Sequence, residues 1–335
     1  MQTDKDFITL GIETSCDETA CAVLQGAQTL RSNVVASSMN LHKRFGGIVP
    51  EIASRHCLEY MQLVFDRAVR QAHITKYDID LIGVTYGPGL VGSLLVGLSF
   101  AKALSYALRV PLIGVNHLEG HLYANFIRRS YPKKPFVGLI VSGGHTSLVH
   151  CYRNRFDLIG ETRDDAVGEA FDKVAKMLDI GFPGGPVIER IAKKGDPTSI
   201  RFTSAKLPGT FDFSFSGVKT AVLYYTQKCQ NLSREVPNIC ASFQASVVKV
   251  IVDKTVAAAR KKKASLIVVG GGVSANTYLR DKLSTAASAY GIGVLFPVLK
   301  ESIDNGAMIA RRAYALHKRG KRSSHCISAQ AMMPF

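Results

Sequence analysis

Apolar residues in this chain come in short blocks separated by acidic or glycine-rich breaks, and the blocks fall into two series. The first opens with Phe7-Ile-Thr-Leu-Gly-Ile12, then a polar Glu13-Thr-Ser-Cys-Asp-Glu-Thr19 bend and a second apolar run to Leu24. That pattern predicts a hairpin with an acidic, hydroxyl-rich turn. Leu58, Met61, Phe65, Ala68 and Ala72 then recur at helical spacing, with Arg67 and Arg70 off the stripe, which predicts an amphipathic helix. A strand over 79–85, a glycine turn, a helix over 91–108 and a short strand over 111–115 complete the series.

The second series repeats this order. Phe136-Val-Gly-Leu-Ile-Val141 runs into Ser142-Gly-Gly-His-Thr146 and an apolar strand to His150, again a hairpin, now with a small-residue bend. A helix over 164–178 is expected to bury Val167, Ala170, Phe171, Val174 and Leu178, and a second covers 239–262. A strand over 266–269, the turn Gly270-Gly-Gly272, a helix from about 274 and a strand over 294–296 follow. Two copies of one unit predict an internally duplicated α/β protein whose halves face each other across a cleft, with a ligand touching both glycine turns. The expected division is a first lobe at 1–134, a second at 135–303, and a basic helix and tail at 304–335 packing back on the first lobe. The stretch 181–238, rich in Gly, Pro and Phe, has no counterpart in the first half and is expected to be an insertion facing substrate.

Composition narrows the class. A chain of 335 residues with 47% apolar and 20% charged residues is globular rather than disordered, and long enough for about two domains. The formal net charge of +16 points to an anionic partner. Seven cysteines without a Cys-x-x-Cys pair argue against a disulfide framework and a thiolate zinc site, and suit a reducing cytosol. The polar Met1-Gln-Thr-Asp-Lys-Asp6 start is neither a signal nor a transit peptide, so the mature chain is expected to begin there. Residues 81–101 carry no charge, yet Pro88 and several glycines break them, so a strand, a turn and a buried helix are expected rather than a membrane span. The protein is expected to be cytoplasmic.

Several motifs carry chemistry. Gly87-Pro-Gly-Leu-Val-Gly92 matches a dinucleotide fingerprint only formally: Pro88 removes an N–H, and the next acid is Glu119. The P-loop pattern is missing from the sequence. Ser142-Gly-Gly144, Gly181-Phe-Pro-Gly-Gly185 and Gly270-Gly-Gly-Val-Ser-Ala-Asn276 could each present backbone N–H groups to an anionic ligand. His117-Leu-Glu-Gly-His121 sets two imidazoles at i, i+4 on one helical face, the spacing of a divalent-metal pair. Glu119 then points about 160° away around the helix, so it is misplaced as a metallopeptidase base. Asp304, before an apolar helix, is a candidate third ligand or simply a helix cap. Asp165, Glu169 and Asp172 share a polar helical face. Basic residues cluster at Arg128, Arg129, Lys133 and Lys134, at 260–263, and from Arg311 and Arg312 through Lys318, Arg319, Lys321 and Arg322, which suits a polyanion.

With these residues in hand, the chain resembles the tRNA adenosine threonylcarbamoyltransferase family, once labelled O-sialoglycoprotein endopeptidase. The matching stretches are GIETSCDETA at 11–20, GGIVPEIASR at 46–55, GPGLVG at 87–92, HLEGH at 117–121, LIVSGGHT at 139–146, GEAFDK at 168–173, FPGGP at 182–186, DFSFSGVKT at 212–220, GGGVSAN at 270–276 and DNGAMIA at 304–310. The resemblance implies an internally duplicated two-lobe actin-like ATPase fold (ASKHA, ribonuclease-H-like) with an interlobe cleft. It also implies that His117, His121 and Asp304 hold one divalent metal between the lobes, Fe(II) first, with Zn or Mg open. By the same carry-over Ile140, Val141, Ser142, Gly143, Gly144, Asp172, Gly185, Glu189 and Asn276 bind threonylcarbamoyl-AMP, Asp172 at the ribose hydroxyls. Glu189 stands where many relatives have Asp, and Asn116 where many have His.

The implied reaction is acyl transfer to the exocyclic amine of adenosine 37 in tRNAs reading codons that begin with adenine, with Glu13 or Asp17 assisting proton removal. The implied partners are tRNA, a non-catalytic paralogue (TsaB) and an ATPase (TsaE), with a homodimer open and no membrane. Two other classes stay in view, a metal-dependent endopeptidase and an ATP-binding scaffold.

Overall fold

In the computed structural model, residues 6–204 and 207–335 are described, so the polar start at 1–5 lies outside the described residues. The chain divides into two units, Met1–Tyr131 with Val298–Phe335, and Pro132–Pro297.

The first unit is built on strands β1 (Ile8–Glu13), β2 (Glu18–Gln25), β3 (Thr29–Ser37), β4 (Leu81–Gly87) and β5 (Leu112–Asn116) in the order β3-β2-β1-β4-β5. β1 pairs antiparallel with β2 and parallel with β4, in the register Ile12↔Val84. Every residue of β1 is buried, because helices cover both faces of the sheet and a strand in that position must be apolar throughout. Residues of α2 (Pro50–Gln71) and α3 (Val91–Leu108) pack on one side, where Met61, Phe65 and Leu98 meet Leu10, Ile12 and Val23. α10 (Gly306–His317) packs on the other, where Met308 and Ile309 join Leu24, Leu81 and Ile113. A Cβ on Gly11 would lie 2.1 Å from the Gly306 carbonyl oxygen, so glycine lets α10 sit directly on the strand. Two short helices, α1 (Met39–His42) and α4 (His117–Tyr123), complete the unit.

The second unit repeats the topology with β6 (Phe136–Val141), β7 (Thr146–Tyr152), β8 (Arg155–Glu161), β9 (Leu266–Gly270) and β10 (Gly293–Leu295) in the order β10-β9-β6-β7-β8. Read from its other edge, this is the order of the first sheet, with β6 antiparallel to β7 and parallel to β9. Its helices are α5 (Val167–Met177), α6 (Gly184–Ala192), α7 (Ser216–Lys228), α8 (Leu232–Lys261) and α9 (Thr277–Ser288).

Some expectations change. Both sheets gain an edge strand, β3 and β8. Leu58 is 69% exposed; the buried stripe of α2 is Ala53, Cys57, Met61, Val64, Phe65 and Ala68, shifted round the helix from the expected one. Within the 181–238 stretch, Ile188, Phe202, Phe213, Phe215, Val218 and Val222 pack with α5 and α8, and most of the other described residues are partly or fully exposed. The uncharged 81–101 stretch is β4 followed by α3, and α3 is long and apolar enough by length and composition to cross a membrane. Arg311 and Arg312, expected in a cationic surface, are buried: Arg311 Nε donates to the Phe126 carbonyl at 2.8 Å and Arg312 Nε to Glu119 Oε2 at 2.6 Å. Lys318, Arg319, Lys321 and Arg322 remain exposed.

Candidate functional site

The imidazoles of His117 and His121 lie on α4, with ring centroids 4.5 Å apart. Asn116 caps that helix, its Oδ1 accepting from the Leu118 and Glu119 N–H groups, while its Nδ2 donates to the Pro334 carbonyl at 2.8 Å. Asp304 does not cap α10. Asn305 does, accepting from the Met308 N–H at 3.1 Å, and the carboxylate of Asp304 turns to the imidazoles. Its Oδ1 lies 3.2 Å from His121 Nε2 and 3.6 Å from His117 Nε2. One ligand atom from each residue falls within 4.8 Å of the others. Donors about 2 Å from one ion stand roughly 3–4 Å apart, so the spacing fits a metal.

Two observations test that fit. His121 is 1% exposed, and neither of its ring nitrogens makes a hydrogen bond. Nε2 lies 3.2 Å from Asp304 Oδ1 without forming a hydrogen bond to it, and a metal between them would satisfy both. His117 Nδ1 lies 3.0 Å from Glu13 Oε2, which places a proton on Nδ1 and directs Nε2 to the group, where a bound metal would displace any second proton. Imidazole ligands are oriented by such carboxylates. Burial would push the His117 imidazolium down, but Asp304 and Glu13 outweigh it and raise the pKa to about 9.

The acids of the first bend separate. Glu13 is fully buried, accepting from the Ser15 N–H and Thr85 Oγ1 at 2.6 Å each, besides His117. With three donors on its carboxylate, Glu13 stands behind His117. Asp17 is also buried, and its Oδ2 makes no hydrogen bond. Burial, together with the charges of Asp17 and Asp304, holds the Glu18 carboxyl well above its usual range. Sequence reasoning missed Ser15 and Thr85. Ser15 Oγ lies 3.2 Å from His117 Nδ1, a contact across 102 positions that no local spacing reveals. Glu119 faces Arg312, as its offset from the histidines requires.

The expected donor-binding residues all belong to the second unit. Asp172 Oδ1 accepts from the Gly184 N–H at 2.6 Å, joining α5 to the start of α6. Glu189 on α6 accepts from the Thr277 N–H and Oγ1, and Asn276 caps α9 while its Nδ2 donates to Gln244 Oε1 at 2.8 Å. A Cβ on Gly271, whose φ is +92°, would lie 2.4 Å from the Val141 carbonyl oxygen, so the turn after β9 abuts the end of β6. Gly143, Gly144, Gly185 and Gly272 are different. None has positive φ, and a Cβ on any of them would meet nothing within 4 Å. The protein itself has no need of glycine at these places, although glycine costs backbone entropy. A ligand approaching the backbone would have that need.

A family model described as tRNA N6-adenosine threonylcarbamoyltransferase matches residues 29–311. A protein of that name from Clostridium kluyveri is 48% identical over 332 residues, covering 97% of both chains, and one from Thermosipho melanesiensis is 50% identical over 311 residues, covering 92% of this chain and 95% of its own. Among solved structures, full-length HypF in a phosphate- and nucleotide-bound form superposes with a TM-score of 0.65 at 13% identity, over 96% of this chain and 48% of its own.

Proposed function

Because this chain belongs to the tRNA N6-adenosine threonylcarbamoyltransferase family, we propose how its residues divide the work of the transfer. The activity is transfer of a threonylcarbamoyl group to the N6 amine of an adenosine in tRNA. We assign adenosine 37 of tRNAs reading codons that begin with adenine as acceptor, and threonylcarbamoyl-AMP as donor. The N6 lone pair attacks the carbamoyl carbon, a C–N bond forms, the C–O bond to phosphate breaks, AMP leaves, and N6 loses one proton.

An adenosine amine is a poor nucleophile, so the carbonyl must be polarised and the leaving phosphate stabilised. His117, His121 and Asp304 would hold a divalent metal, which supplies Lewis-acid polarisation when bound. A two-histidine, one-carboxylate set with open positions suits Fe(II) or Zn, with Fe(II) taken first and Mg third. Glu13 holds His117 in the tautomer that can ligate. Asp17, buried with an oxygen lacking a partner, is the better candidate to take the N6 proton. Backbone N–H groups at Gly143, Gly144 and Gly185 would receive the adenylate phosphate, with Ile140, Val141 and Ser142 at the base of the turn, where the Ser142 N–H is held by the His145 carbonyl. Asp172 would reach the ribose hydroxyls, while Glu189 and Asn276 shape the pocket through their bonds to Thr277 and Gln244.

The observation that carries this assignment is the buried His121, without a hydrogen bond and 3.2 Å from Asp304. Glu119, held by Arg312, disfavours the endopeptidase alternative. Exposed Leu58 and Leu95 line a groove between α2 and α3 that would suit docking of a non-catalytic paralogue. Free cysteines throughout suit the cytosol, where tRNA is found. The test is nucleoside mass spectrometry of unmodified tRNA incubated with the adenylate, the partner proteins and this chain. Threonylcarbamoyladenosine should form, and His117→Ala should abolish it; full activity of that variant would remove the metal from the account.

A further inference from the structure

We propose that the loop at 43–49 is a docking element for the single-stranded anticodon loop of the tRNA substrate, with Phe45 stacking on a base and Lys43 and Arg44 on the flanking phosphates. This rests on the tRNA activity assigned above and names the residues that would meet the RNA.

Four observations converge on the loop. Phe45 is 47% exposed, and the Arg44 guanidinium lies over its ring, 4.7 Å from the centroid. An exposed aromatic ring with a stacked guanidinium and an adjacent lysine is the surface chemistry that takes unpaired bases and their phosphates. Gly47 has no positive φ, and a Cβ there would meet nothing within 4 Å, the property that distinguishes the open glycines of the second unit. The loop is also built rather than loose. His42 is fully buried; its Nδ1 accepts from the Val49 N–H at 3.2 Å, which leaves Nε2 to donate to Ser38 Oγ at 2.9 Å. Ser38 in turn donates through both N–H and Oγ to the Asp17 carbonyl, at 2.9 and 3.0 Å. A buried imidazole thus ties both ends of the loop to the residue assigned to take the N6 proton. A loop anchored there can deliver a base to the reacting centre while remaining accessible.

The competing occupant is a protein surface, which would use Phe45 as an apolar contact. Phe45→Leu separates the two, since leucine keeps apolar area but cannot stack. Binding of unmodified tRNA to the full chain should weaken about tenfold in Phe45→Ala and Phe45→Leu and recover in Phe45→Trp. Lys43→Ala and Arg44→Ala should each reduce the slope of log affinity against log salt by about 0.7, the value for one single-strand phosphate contact. Fe(II) affinity, KM for the adenylate and Tm should not move in any of these variants. Unchanged tRNA binding in Phe45→Ala, or full binding in Phe45→Leu, overturns the proposal while leaving the transferase activity intact. A parent chain that modifies no tRNA in the reconstituted mixture would instead remove the activity on which the proposal rests.

Discussion

The two sheets share one strand order, yet the bends of their first hairpins are chemical opposites. In the first unit the bend at 13–19 is acidic and buried, and its Glu13 carboxylate is consumed by an imidazole, a hydroxyl and an amide. In the second, the bend at 142–144 is made of small residues, with Gly143 and Gly144 opening to empty space. A duplicated scaffold has therefore kept its backbone and changed what one turn offers: one copy sets a carboxylate against an imidazole, the other leaves the backbone of two glycines open. Identical topology does not carry function; the side chains on equivalent turns do.

The comparison can be broken most severely at the support beneath α4. Arg312→Ala would leave Glu119 without its partner in a largely buried position, and loss of one member of such a pair costs about 3–5 kcal/mol. Thermal unfolding should show the first unit melting early, whereas an unchanged Tm would mean the pair does not support the helix. Glu13→Gln should weaken metal binding about 10–100-fold in a chelator competition, since it removes the carboxylate that orients His117, while the amide oxygen can still accept from Ser15 or Thr85. In the other bend, Gly144→Val should raise KM for the adenylate about tenfold, the order of a 1–3 kcal/mol steric penalty, with Tm unchanged because no protein atom lies within 4 Å. A variant with lowered Tm and unaltered KM would make that glycine structural.

The smallest effect concerns pH. Burial would raise the Asp165 carboxyl, but hydrogen bonds from Lys173 and Lys219, at 2.6 and 2.5 Å, outweigh it and bring the pKa below the ordinary carboxylate value. A depressed carboxylate stabilises the fold above its unfolded pKa and loses that contribution as pH falls through the folded one. Asp165→Asn should therefore cost about 1 kcal/mol at neutral pH and progressively less as pH falls below the ordinary carboxylate value, read from urea midpoints across that range. A cost independent of pH would point to packing instead.

Much of this is legible in the sequence. The hairpin bends, the i, i+4 histidines and the duplication all rest on local periodicity, which backbone geometry enforces directly. The two edge strands were missed because each carries polar residues on its solvent side, as Arg155 and Asp157 do in β8, and so lacks an apolar run. The roles of Glu13, Arg311 and Arg312 depend on partners far along the chain: Thr85 is 72 positions from Glu13, and Arg312 is 193 from Glu119. Asp304 belonged in the group for a reason its sequence context hid, since the neighbouring Asn305 supplies the cap.

The division of labour between the bends is tested most directly by equilibrium binding of Fe(II) and of a non-reactive adenylate analogue to His121→Ala and Gly144→Val. His121→Ala should lose the metal and keep the analogue, and Gly144→Val should weaken the analogue and keep the metal. If His121→Ala binds Fe(II) as tightly as the parent, or if either variant loses both ligands while remaining folded, the two turns do not act as described.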